Sequence, residues 1–348
     1  MITAIILSLA FFAFLGLAIA LSVTFAIRRG RRGKWEKRSW DLPELGIQRH
    51  VPEVDRDLRE MIRRMERALP EGYVDRLKRR VMEKGGIGEE EWGNRWFELK
   101  RFFVLTAILK SVPMYSRDVD DVWHEMLLFT LDYERFSREF LGTYLHHNPH
   151  DQPVFDPAER AWFDWIYTLL FRPTPYSRHV WGPFFRHPLP RDLLTEFETS
   201  SEDELLKRHF NLESAARYED AKRLCHFVIG TVRRAISEAR QYERQHGRDI
   251  KSLRVHMLSR QNRETEPAVW MLGAMAYLSL YHYHDYLAVQ GELLKRAADS
   301  GSGTGYAHGG SYCAGVWGGL DSGSDSGGAD GGSGCGAGCG GAGCGGGS

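Results

Sequence analysis

Wherever apolar residues cluster between Val54 and Leu294 they return every three or four positions, and no convincing run of alternating β-branched residues interrupts them. A period of 3.6 places such residues on one face of a helix, whereas a half-buried strand needs a period of two. The chain is therefore expected to be all-α. Val54, Leu58, Met61, Ile62, Met65 and Leu69, then Tyr73, Leu77 and Val81, predict two amphipathic helices over residues 54–83, broken at Pro70-Glu71-Gly72. A strongly apolar helix is expected over residues 89–112, ended by Pro113, and another from Asp118 to its close at Gly142. Asp156-Pro157-Ala158-Glu159 supplies an N-cap, a proline at the first helical position and a glutamate at the third, ahead of Trp162, Trp165, Ile166 and Leu169. The proline-rich residues 173–190 read as a loop draped on the core, and two long helices follow over residues 212–246 and 267–298. Residues 268–281 are apolar but only 14 long before His282, His284 and Asp285, which fits a buried core helix better than a membrane span.

Residues 2–27 carry no charge, and 15 of these 26 are Ile, Leu, Phe or Val. As a helix they would reach about 39 Å, enough to cross a hydrocarbon layer of roughly 30 Å. A cleaved signal peptide would have a positive start and a shorter apolar stretch. Directly afterwards come Arg28, Arg29, Arg31, Arg32, Lys34, Lys37 and Arg38, a block that resists translocation. The expectation is a single-pass cell-membrane protein, N-terminus outside and C-terminal domain cytoplasmic, with the basic block facing anionic lipid. The 46 Lys+Arg balance 46 Asp+Glu, so beyond this block nothing argues for a nucleic-acid partner. Four regions result: a transmembrane anchor (1–27), a basic juxtamembrane linker (28–44), a helical domain (45–298) and a Gly/Ser/Cys-rich tail (299–348). The tail holds 22 of the 37 glycines and no Lys or Arg, so it cannot bury enough surface to offset chain entropy and is expected to be disordered.

The stretch richest in chemistry runs Val119-Asp120-Asp121-Val122-Trp123-His124, continuing to Tyr133 and to Leu145-His146-His147. At about 100° per residue, Asp120 and His124 fall one turn apart, on the edge that also carries Leu127 and Leu131. An imidazole held by a carboxylate can serve as a base or a metal ligand, and His146 and His147 could close a site from the next loop. The competing reading makes Asp120 and His124 buried structural ties, with His146 and His147 capping the helix end. It is preferred, because His124, His146 and His147 have no diagnostic metal-ligand spacing. On that reading His124 is packed, and its removal damages folding.

The stretch ELKRFFVLTAILKSVPMYSRDVDDVWHEMLLFTLDYERFSREFLGTYLHHNP resembles the glycine-rich domain-containing protein-like family, a domain of unknown function with plant and bacterial members. The Val-Asp, Trp-His, Tyr and Gly-x-x-Leu-x-His landmarks appear in that order, within a family-like core of about residues 89–150. The family usually has Trp-His-x-His, whereas this chain reads Trp123-His124-Glu125-Met126. The resemblance implies no established reaction.

Other motifs fail on spacing. His124-Glu125 begins like a zinc-protease helix, but Leu128 stands where the second histidine belongs, and no lysine follows Lys295 to make a phosphate loop of the tail. His282 and His284 point apart on one helix and read as its polar trim. Cys335, Cys339 and Cys344, with Cys313, could wrap a soft metal but are not paired CxxC units, and Cys225 stands alone on a helix. Nothing calls for a cofactor. Anchor, helical domain and low-complexity tail together point to a membrane-anchored binding or scaffold module with a protein partner, enzyme activity being left open. The alternative is a metal-dependent enzyme built on Asp120, His124, His146 and His147.

Overall fold

A computed structural model of the protein describes residues 38–147, 155–253 and 267–299. Among these residues there are thirteen α-helices and one 3-10 turn, and extended pairing is limited to two isolated antiparallel bridges, Ile47 with Phe171 and Leu109 with Phe210. The all-α expectation holds over this range. The expected span at residues 2–27, the basic residues Arg28 to Lys37, and the tail from residue 300 lie outside the described residues. Within them no helix is long and apolar enough to cross a membrane.

Helices α1 (Pro52–Ala68) and α2 (Tyr73–Gly85) are separated at Pro70-Glu71-Gly72, as the apolar period requires. Helix α3 (Glu89–Ile108) is the hub: Leu99, Phe102, Phe103, Val104 and Leu105 are fully buried, and α1, α2, α4 (Arg117–Leu127), α10 (Leu212–Arg217) and α11 (Glu219–His246) pack on it. Helix α5 (Thr130–Leu141) lies on α1 and α4. Helix α6 (Pro157–Leu170) starts as expected, Asp156 accepting from the amide of Ala158 at 2.7 Å. The narrow stripe of Ala221, Cys225, Val228, Val232, Ala235 and Ala239 on α11 is buried throughout, which lets α1 and α12 (Pro267–Tyr281) approach closely. Helix α12 is held between α11, α6 and α8 (Arg191–Thr199), so its expected role as a core helix is met.

Four expected boundaries are moved by tertiary contacts. Helix α3 stops at Ile108 because the next residues pair with the end of α9 (Glu202–His209), Lys110 donating to the His209 carbonyl at 3.0 Å and Asn211 to that of Ile108 at 2.9 Å. The helix expected from Asp118 to Gly142 is two, α4 and α5, broken at Phe129 (φ −94°, ψ 64°). The expected loop at residues 173–190 contains α7 (Pro175–Trp181), started by a reciprocal Thr174–Ser177 capping box. The two long C-terminal helices each break once, at Tyr218 and between α12 and α13 (Tyr286–Asp299). His282 and His284 therefore lie in a turn, and are not the polar trim of one continuous helix.

One buried polar cluster organises the hub. Glu98 and Arg101 are completely buried on α3 and pair at 3.3 Å. Glu98 also accepts from Tyr167 and Ser177, each at 2.6 Å, and from the Trp181 indole at 2.8 Å. Arg101 donates to the carbonyls of Leu45 at 2.8 Å and Arg172 at 3.0 Å. With both charges saturated by hydrogen bonds, the pair fastens α3, α6, α7 and the N-terminal turn to one another. Gly46 (φ 62°) makes that turn possible, since a Cβ there would sit 2.7 Å from the Arg101 guanidinium.

Candidate metal centre

The candidate site residues are placed by α4 and by the segment that returns after α5. Ser116 caps α4, accepting from the Val119 amide at 3.2 Å, and Val119, Val122, Trp123 and Met126 form its fully buried face. Asp120 and His124, one turn apart, flank that face. Gly142 (φ 86°) ends α5 in the left-handed region, where a Cβ would meet the Arg217 side chain at 2.7 Å. The chain then doubles back over α4. A buried hydrogen-bond chain fixes its path: the Trp123 indole donates to the Tyr133 hydroxyl at 2.9 Å, which donates to the Leu145 carbonyl at 2.8 Å. Two residues later, His147 lies against Trp123, with ring centroids 4.4 Å apart in an edge-on contact.

His147 Nε2 lies 2.9 Å from one carboxylate oxygen of Asp120, and His124 Nδ1 lies 3.5 Å from the other. The two imidazoles are 4.4 Å apart by centroid, and one donor atom from each of the three residues lies within 4.8 Å of the others. Donors bound at about 2.0–2.1 Å to a tetrahedral ion sit roughly 3.3 Å apart, so small side-chain movements would bring this set onto one ion. Burial is graded across the cluster: the His147 side chain is 3% exposed, Asp120 15% and His124 45%. The protein closes one side and solvent meets the other.

Of the expected residues, Asp120, His124 and His147 converge, and Trp123 and Tyr133 stand directly behind them. His146 does not join: it is exposed and packs on Tyr144, with centroids 4.7 Å apart, because alternate residues of an extended segment face opposite ways. The expected burial of His124 is also corrected. The packed histidine is His147, and Leu131, expected on the same edge, is 81% exposed on the next helix. Met126, where the resembling family has its second histidine, is fully buried, about 200° around α4 from His124 and facing the core. The second imidazole comes from His147 instead. The tail cysteines lie outside the described residues, as do the basic residues before Arg38, whose guanidinium sits 4.3 Å over the Trp40 ring. Cys225 is buried on α11, where burial pushes its thiol up to about 12, so it is no source of thiolate.

The reading of the sequence alone missed the Trp123–Tyr133–Leu145 relay, although an indole and a phenol ten residues apart signalled it. The Glu98–Arg101 pair had a signal too, two opposite charges at helical spacing inside an aromatic run. A cleft of about 380 Å³ lies elsewhere, between Val112, Glu159, Trp162, Phe163, Leu193 and His209, and includes none of the three clustered residues.

The fold is helical, and it brings two histidines and one carboxylate together on α4 and its returning segment. A family model described as UCP032817-like, an uncharacterised family, matches residues 59–153, which run from within α1 through α5 and His147. That match carries no glycine-rich designation. No curated protein and no solved structure gives a significant match.

Proposed function

We propose that the chain is a helical metal-binding module, tethered to a membrane through residues 2–27, with Asp120, His124 and His147 holding one divalent transition-metal ion. The convergence of these three side chains from two separate segments carries the reading. Two imidazoles and one carboxylate suit Zn²⁺ and its neighbours in the first transition row better than Ca²⁺ or Mg²⁺, which take oxygen donors. The module acts by binding, with membrane lipid at the basic block and a protein partner as its other contacts. A reaction at the metal is the alternative, favoured only by the exposure of His124. Metal analysis of the purified full-length chain decides: stoichiometric zinc, lost in His147→Ala and in Asp120→Asn, is the expected result. A wild-type chain that takes up no zinc, cobalt or iron ends the proposal. The tether rests on 26 uncharged residues followed by seven basic ones in eleven. A reporter fused at Ser348 that is active only outside the cytoplasm would overturn its orientation.

A further inference from the structure

We infer that the centre at Asp120, His124 and His147 is an open Lewis-acid site that takes an oxyanion, a carboxylate or phosphate oxygen, as an exogenous ligand. This rests on the metal-binding reading above and extends it. Structural zinc sites are closed by four protein donors, whereas sites that accept an outside ligand use three and leave a position free. Among the described residues three donors converge here. Of the other acids on α4, Asp118 is held by Arg95 at 2.9 Å and Glu125 by Arg80 and Lys84 together, while Asp121 is exposed and stands outside the converging group. The Tyr133 hydroxyl is occupied by Trp123 and Leu145.

The position left free among the described residues has a direction. His147 and Trp123 close the inner side, while His124 is 45% exposed, so an incoming ligand meets the ion from solvent past His124. Charge selects its class. A divalent ion with two neutral imidazoles and one carboxylate carries a residual single positive charge, which an anionic oxygen neutralises. A neutral ligand does not.

Cobalt substitution tests this in the full-length chain, because the visible bands of Co²⁺ report coordination number and ligand type. The chain is loaded with Co²⁺ and titrated separately with acetate, with inorganic phosphate and with a neutral amide. A saturable band shift with acetate, phosphate or both is expected, with none for the amide, and the tighter anion identifies the oxyanion source. Stoichiometric Co²⁺ whose bands are unmoved by tens of millimolar of either anion would overturn the open site and leave the metal-binding reading standing. A shift with the amide equal to that with the anions would refute the charge argument. Failure to bind Co²⁺, Zn²⁺ or Fe²⁺ at all would sink the metal-binding reading itself.

Discussion

Replacing the two clustered histidines by alanine, one at a time, should separate a folding role from a binding role. The His147 side chain is 3% exposed, lies edge-on to Trp123 and bonds the Asp120 carboxylate at 2.9 Å. Losing a hydrogen bond to a charged group costs about 1.5–3 kcal/mol, and losing the ring contact about 0.5–1.5 kcal/mol more. At about 2–4 °C per kcal/mol for a domain of this size, His147→Ala should lower the melting temperature by roughly 4–18 °C. The His124 side chain is 45% exposed and 3.5 Å from its carboxylate partner, a contact worth at most about 1 kcal/mol. His124→Ala should therefore shift the transition by no more than about 4 °C. Calorimetry of the full-length chain in chelator measures both effects free of metal, and a zinc titration of the same samples should show that both variants have lost the ion. Equal losses of thermal stability in the two variants would refute the assignment of His147 as the packed residue. So would an unshifted His147→Ala.

Three further outcomes are expected. Tyr133→Phe removes the acceptor of the Trp123 indole and the donor to the Leu145 carbonyl, so it should weaken zinc affinity by about 10–100-fold while the helical circular dichroism is retained. Glu98→Ala strands the buried Arg101 together with the Tyr167, Ser177 and Trp181 donors and should cost about 3–5 kcal/mol in urea unfolding, whereas Glu98→Gln, which keeps an acceptor oxygen there, should cost less. His50 Nε2 donates to the Leu169 carbonyl at 2.9 Å, and burial, the largest influence, holds its imidazole below the ordinary 6.5. The unfolded chain then binds a proton that the folded chain refuses, so this group's contribution to stability is lost as pH falls below about 6.5. Unfolding free energies at about pH 7.5 and about pH 5.5 should differ less in His50→Asn than in the wild type, and an unchanged difference would exclude His50 as the source.

Local chemistry determined the class of this protein and several of its boundaries. Apolar residues at helical period, the Pro70-Glu71-Gly72 break, the Asp156-Pro157 helix start and Gly142 as a stop are all nearest-neighbour signals, readable without knowing what packs where. The buried apolar helix α12 was equally legible, because 14 residues are too few to span a bilayer and too apolar for a surface. Three histidines and an aspartate were visible as a candidate set, but not which of them meet. That was decided by the break at Phe129, which turns α5 back along α4, and by the Tyr133 bond to Leu145, which sets the phase of the returning segment. With side chains alternating along that segment, fixing Leu145 sends His147 inward to Asp120 and His146 outward to Tyr144. The sequence alone carries the period of a helix, but the phase of an irregular segment is set by long-range contacts, and the convergence of Asp120, His124 and His147 depends on that phase.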